Sequence, residues 1–268
     1  MIFGRIQLHM SRLSLFLVLL ASIGASQPTT ARTVHVFVAL CDNANQGIVP
    51  VPGALGNGQD PNSNLYWGAL YGVKTHFGNC GEWERLKVDD ALPAPVLDRM
   101  LFKNRKSGDY LLAEAYDGAR MRTCIVNYFN ALAGHDTVHV AGLANTIRFG
   151  GGADLVCFVG HNGLMDFALL DGEVRAAVPG RNAGSMVLCC YSERYFNEHV
   201  AKANGQFMLG TRGLMAPEAY VLRAALGQWI LRQGHSTIRE AAAQAYHHYQ
   251  KCGVKAARNL FGAKSPVQ

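Results

Sequence analysis

Several short patterns that announce a chemistry are missing from this 268-residue chain. It has no Cys-x-x-Cys pair and no His-Glu-x-x-His, which removes the usual ligand spacings of redox and zinc-peptidase sites. No Gly-x-Ser-x-Gly occurs, so the strained turn that exposes the serine of α/β-hydrolases is lacking. Lysine and arginine are scattered, and no basic stretch is interleaved with aromatics, which argues against a nucleic-acid partner. The Gly-x-Gly at Gly56 to Gly58 has no further glycine or Lys-Ser in the places that phosphate cradles need. Internal repeats are absent, as is any linker that would divide the chain into two folded domains.

What remains is a chain with 49% apolar residues, enough to fill the core of one large α/β domain. That domain is expected over residues 32–268, with the C-terminal helices included. Residues 1–31 read as a signal peptide. Arg5 and Arg12 precede the apolar run Leu13 to Ala21, and small residues follow, with cleavage expected between about 25 and 31. The run is too short for a comfortable membrane span, so a secreted or periplasmic protein with no stable span after cleavage is expected. Removing the leader lowers the formal charge from +6 to about +4, a mild excess. Seven cysteines, an odd number, leave at least one thiol free or paired between chains.

Two short apolar runs carry the chemistry. Ala153 to Gly160 leads into His161-Asn162-Gly163, and Ser185 to Cys189 leads into Cys190-Tyr191-Ser192-Glu193. Each is bounded by glycine or polar residues and reads as a buried strand of a parallel sheet. As neighbours they would bring His161 and Cys190 together at the carboxyl edge, where open α/β sheets place their sites. A thiol nucleophile and its base need that juxtaposition. Alternation along a strand sends Cys189 and Cys190 to opposite faces, so one belongs to the core and the other is available. Cys190, next to polar residues and the start of a helix, is the better candidate; Cys189 takes its place if the register slips by one.

This arrangement resembles the caspase-like cysteine peptidases, the group of gingipains, legumains, clostripain and metacaspases, in which one strand ends in His-Gly and the next in a small residue and Cys. The resemblance implies an α/β three-layer sandwich with a mostly parallel, caspase-like central sheet. It implies a cysteine peptidase or related amide hydrolase in which Cys190 is the nucleophile and His161 the general base and acid. The backbone N–H groups of Gly163 and Cys190 are then the candidate oxyanion donors. Asp42, at the end of the first strand, would line the primary specificity pocket and favour a basic residue by charge pairing; an Asx turn ending the strand is the alternative. The substrate is a peptide or protein, and no metal or organic cofactor is implied. Two departures stand out, Asn162 directly after the histidine and Glu193 where glycine commonly follows the cysteine. They support a rival reading, a catalytically silent caspase-like binding module; another α/β-hydrolase class ranks below both. The oligomeric state is not legible.

Around these runs, strands are expected at Val34–Leu40, Glu82–Val88, Tyr110–Tyr116 and Gln206–Thr211. Helices are expected at Asn62–Phe77, Ala94–Lys103, Ala119–Ala133, Arg194–Ala203, Ala216–Leu231 and Ser236–Tyr249. Small hairpins are expected at 138–149 and, around Asp171-Gly172, at 164–178. Asp166 and Asp171 read as solvated turn residues, and no third catalytic member is nominated.

Overall fold

The computed structural model describes residues 1–2, 30–89 and 91–262. The chain divides into two compact units, Met1–Thr30 and Ala31–Gln268, and the fold described is that of the second. The leader expected over residues 1–31 lies, apart from its extreme residues, outside the described residues.

The central strand is β1 (Thr33–Ala39), in which all seven residues are buried. Valines 34, 36 and 38 point to one face and Phe37 and Ala39 to the other, so both faces must be covered. It pairs in parallel with β4 (Tyr110–Tyr116) on one side and with β5 (Leu155–Val159) on the other. Beyond β5 lie β6 (Gly184–Leu188) and β7 (Gln206–Thr211), both parallel. Antiparallel strands finish the edges: β2 (Trp83–Leu86) and β3 (Val96–Asn104) beside β4, and the two-residue β8 (Phe261–Gly262) beside β7. The order is β2-β3-β4-β1-β5-β6-β7-β8, a mostly parallel sheet.

Helices cover both faces. On one, α2 (Met121–Leu132) and α3 (Ser192–Lys202) bury Ile125, Tyr128, Phe129 and Phe196 against Phe37, Val156, Phe158 and Val187. Phe158 packs against Tyr128 and Phe196, with ring centroids 5.9 and 5.5 Å away. On the other, α1 (Val73–Gly78), α4 (Ala219–Ile230), α5 (His235–Gln250) and α6 (Val254–Leu260) cover Val34, Val36, Val38, Val159 and Leu188. Each large apolar side chain so buried contributes about 1.5–3 kcal/mol.

Arg32 ties the first residues of this unit to the far end of α4. Its guanidinium donates to the Trp229 and Ile230 carbonyls at 3.2 and 2.8 Å, pairs with Asp109 at 3.0 Å, and lies 4.0 Å from the Trp229 ring centroid. A cation on the free carbonyls of a helix C-terminus is favourably placed.

The structure departs from the expected elements in four places. Residues expected as a helix at Ala94–Lys103 form β3, because Asp98 and Arg99 find partners there that a surface helix would not offer. Asp98 accepts from Trp67 and Lys74, each at 2.8 Å, and Arg99 pairs with Glu114 across the sheet. Tertiary partners thus override the local pattern. The helix expected at Asn62–Phe77 is confined to α1. Fully buried Asn64 instead clamps the Cys41 backbone on both sides, accepting from its N–H at 3.0 Å and donating to its carbonyl at 2.8 Å. The hairpin at 138–149 reduces to one antiparallel bridge, Val138 with Phe149. Residues 164–178 form turns rather than a hairpin; Phe167, Leu169, Val174 and Ala177 pack on the α2 face instead of pairing. Helix α6 and strand β8 carried no signal strong enough to be read.

Candidate active site

Strands β5 and β6 are neighbours, paired in parallel with Val159 opposite Leu188. His161 and Cys190 each lie two residues past that pair, so they occupy equivalent places at the carboxyl edge. Val159 and Leu188 lie on the α4–α5 face, and both strands end there, before His161 and Cys190. Cys189 belongs to the α2–α3 face, fully buried, and burial pushes its thiol pKa well up. Cys190 is half-buried and accessible.

The histidine turn is built by Gly160, whose φ of 153° lies where residues with a Cβ rarely go. A Cβ there would sit 2.9 Å from the Ala39 carbonyl. Asn162 needs no such freedom, since its φ is −81°. Its fully buried side chain joins the two site loops: Nδ2 donates to the Cys190 carbonyl at 2.6 Å, and Oδ1 accepts from the Leu164 N–H at 3.1 Å. Asn162 is therefore a bracket between the histidine and cysteine turns.

His161 is 7% exposed, and its Nε2 lies 2.7 Å from Asp166 Oδ2. Asp166, expected to be a solvated turn residue, is brought back to the ring by the short 3-10 turn Gly163–Met165. Asp166 Oδ2 also accepts from the Gly47 N–H at 3.3 Å, which draws in the loop after β1. Nδ1 of His161 has no hydrogen-bond partner among the described residues, the Cys190 sulfur included. The Cys190 sulfur accepts from the Met215 N–H at 3.4 Å and lies 3.6 Å from the Met215 carbonyl, so in this conformation it is held by the loop after β7.

The remaining expected residues fare unequally. Gly163 donates its N–H to the His161 carbonyl at 3.1 Å, and the space beside its Cα is filled by Met121, Ile125 and Phe167. That N–H is spent within the turn. The Cys190 N–H, by contrast, meets no acceptor among the described residues. Asp42 is 1% exposed and forms the Asx turn that was the alternative. Its carboxylate accepts from the N–H groups of Ala44 and Asn45 at 2.9 and 3.2 Å and from the side chains of Asn45 and Gln59 at 2.8 and 2.9 Å. Burial pushes its pKa up, but these hydrogen bonds, Gln59 and Asn45 first, outweigh burial and hold it below the usual carboxylate range. Glu193, in the first turn of α3, pairs with Arg212 at 2.6 Å.

Among the described residues, no three His, Cys, Asp or Glu side chains gather into a metal-binding group. A cavity of about 340 Å³ lies away from this edge, between α1, α4 and α5, lined by His76, Tyr220, Arg223 and Tyr249 among others. No family model matches the chain, and neither a curated protein nor a solved structure is significantly similar to it.

Proposed function

We propose that the protein is a caspase-like cysteine peptidase or related amide hydrolase, acting outside the cytoplasm on peptide or protein substrates. The observation that supports this most is the equal offset of His161 and Cys190 beyond the paired residues Val159 and Leu188, with Asp166 on the far nitrogen of the histidine. Nδ1 of His161 takes the Cys190 proton once the sulfur turns away from Met215. The thiolate attacks the scissile carbonyl carbon, and the Cys190 N–H meets the oxygen as it gains charge. The C–N bond breaks, the imidazolium gives its proton to the leaving amine, and a thioester remains. Water, deprotonated by His161, attacks the thioester and releases the acid and the free thiol. Asp166 is a positioning residue in this scheme: it fixes the ring and faces the positive charge that the ring acquires.

A second reading, a silent module of the same fold, draws on the contacts of the Cys190 sulfur with Met215 and on the spent Gly163 N–H. Turnover of a fluorogenic peptide library separates the two. The enzyme reading expects release of the leaving amine that Cys190→Ala abolishes and His161→Ala reduces by about 10²–10⁴-fold. Equal rates in the wild type and Cys190→Ala would leave only the binding module.

A further inference from the structure

With the Gly163 N–H spent inside its own turn, the Cys190 N–H lacks a companion donor for an oxygen that gains charge at this site. A second backbone donor lies at the sulfur. The Met215 N–H, from the loop after β7, donates to the Cys190 sulfur at 3.4 Å and has no other acceptor among the described residues. An oxygen on the carbon that the sulfur attacks is only two bonds from the sulfur, so a donor that reaches one can reach the other.

The loop is fixed on both sides of that N–H. The Gly213 carbonyl accepts from the Tyr191 N–H at 2.9 Å, which fastens the loop to the cysteine turn. The Arg212 N–H donates to the Leu260 carbonyl at 2.8 Å, and its side chain pairs with Glu193. On the far side, the Ala216 N–H donates to the Tyr246 hydroxyl at 3.2 Å. The Met215 side chain is buried in the core on the α4–α5 face. A donor held in place before reaction meets developing charge without the cost of reorganising. The thiol also lies 3.6 Å from the Met215 carbonyl. Transfer of its proton to His161 leaves a thiolate facing that carbonyl oxygen, and their repulsion moves the sulfur off and frees the N–H.

We infer that the Met215 N–H, together with the Cys190 N–H, binds the oxyanion of the acyl-transfer step. As the C–S bond forms, the carbonyl π pair moves onto the oxygen and meets both N–H groups. It returns as the C–N bond breaks and the amine takes the proton held by His161. This rests on the hydrolase reading. An ester at one bond tests it: the full chain with leucic acid at position 215 lacks the N–H, and Met215→Leu keeps it with the same side chain. Relative to Met215→Leu, the ester should lower kcat on the library peptides about 10²–10³-fold while KM stays within about twofold. It should also bind peptide aldehydes, whose thiohemiacetal oxygen takes the same place, at least about tenfold more weakly. In wild-type protein made with isotope-labelled methionine, aldehyde addition should move the Met215 amide proton downfield in the NMR spectrum, its signal assigned by loss in Met215→Leu. That readout holds even where the ester chain does not fold. Equal kcat and equal aldehyde affinity in the two variants, or an amide proton that does not move downfield, overturns the inference and leaves the hydrolase reading standing. Aldehyde adducts that need the N–H, with no peptide turned over, sink the hydrolase reading alone; neither adduct nor turnover sinks both.

Discussion

Asp166 stands five residues after His161 in a stretch whose sequence signals only a turn, and nothing in the spacing says that the turn closes on the ring. The fold supplies that information through the 3-10 turn Gly163–Met165 and the Gly47 contact. Asp166→Asn should lower kcat about tenfold or more while KM stays within about twofold, because the carboxylate orients the base and does not touch substrate. An unchanged kcat would make Asp166 an ordinary turn residue. The two adjacent cysteines were separable from sequence, since strand alternation alone sends them to opposite layers. Burial pushes Cys41 up to about 11, and pushes Cys124, Cys157 and Cys189 up as well. Brief iodoacetamide treatment of the folded protein, read by peptide mass spectrometry, should modify Cys80, Cys190 and Cys252 and spare those four until denaturant is added. Modification of Cys189 in the native state would contradict the placement of β6. For Asp42 the sequence left a specificity-pocket role and an Asx turn both open. A carboxylate at a strand end looks the same in sequence whether it faces a substrate or its own turn, and only the positions of Gln59 and Asn45 decide.

Strand β3 shows where an element escapes its own sequence. Val96, Met100, Leu101 and Phe102 fit either a short helix or a strand, and what settles them is a buried charge cluster spanning three strands. Glu114 on β4 pairs with Arg99 on β3, and its Oε2 lies 3.2 Å from His35 Nε2 on β1. The Gly150 N–H donates to His35 Nδ1 at 3.0 Å. Burial raises the Glu114 pKa, but His35 and then Arg99 outweigh it and bring it down from 4.5 to about 2. A depressed carboxylate contributes stability that is present above about pH 4.5 and is lost as the pH falls toward 2. Denaturant unfolding across that window should therefore show a loss of about 3 kcal/mol, and Glu114→Gln should flatten the dependence. The same variant should also be less stable at neutral pH, because it removes the buried carboxylate that pairs with Arg99. A variant with wild-type acid sensitivity would mean that the cluster is not what titrates.

At the scale of the whole molecule, the parallel centre of the sheet was the most legible part. Uninterrupted apolar runs at β1, β5, β6 and β7 leave few other arrangements. The antiparallel edges and the last helix and strand were the least legible, since their signals are short and depend on neighbours distant in sequence. The buried centre should also be the slowest to open. Amide hydrogen exchange followed by mass spectrometry should find β1, β5 and β6 protected up to the free energy of global unfolding, with residues 164–182 exchanging far sooner. Early exchange in β5 would mean that the His161 and Cys190 turns are not carried on a rigid base.

The anchoring of Arg32 sets a practical boundary for recombinant work. The sheet begins at Thr33, so a domain trimmed to its first strand would seem complete. Yet Arg32 closes the end of α4 through two carbonyls, a carboxylate and an indole face. An expression vector that starts the coding region at Thr33 discards all four contacts and unseats a helix almost two hundred residues downstream, whereas one that starts at Ala31 keeps the last turn of α4 in place.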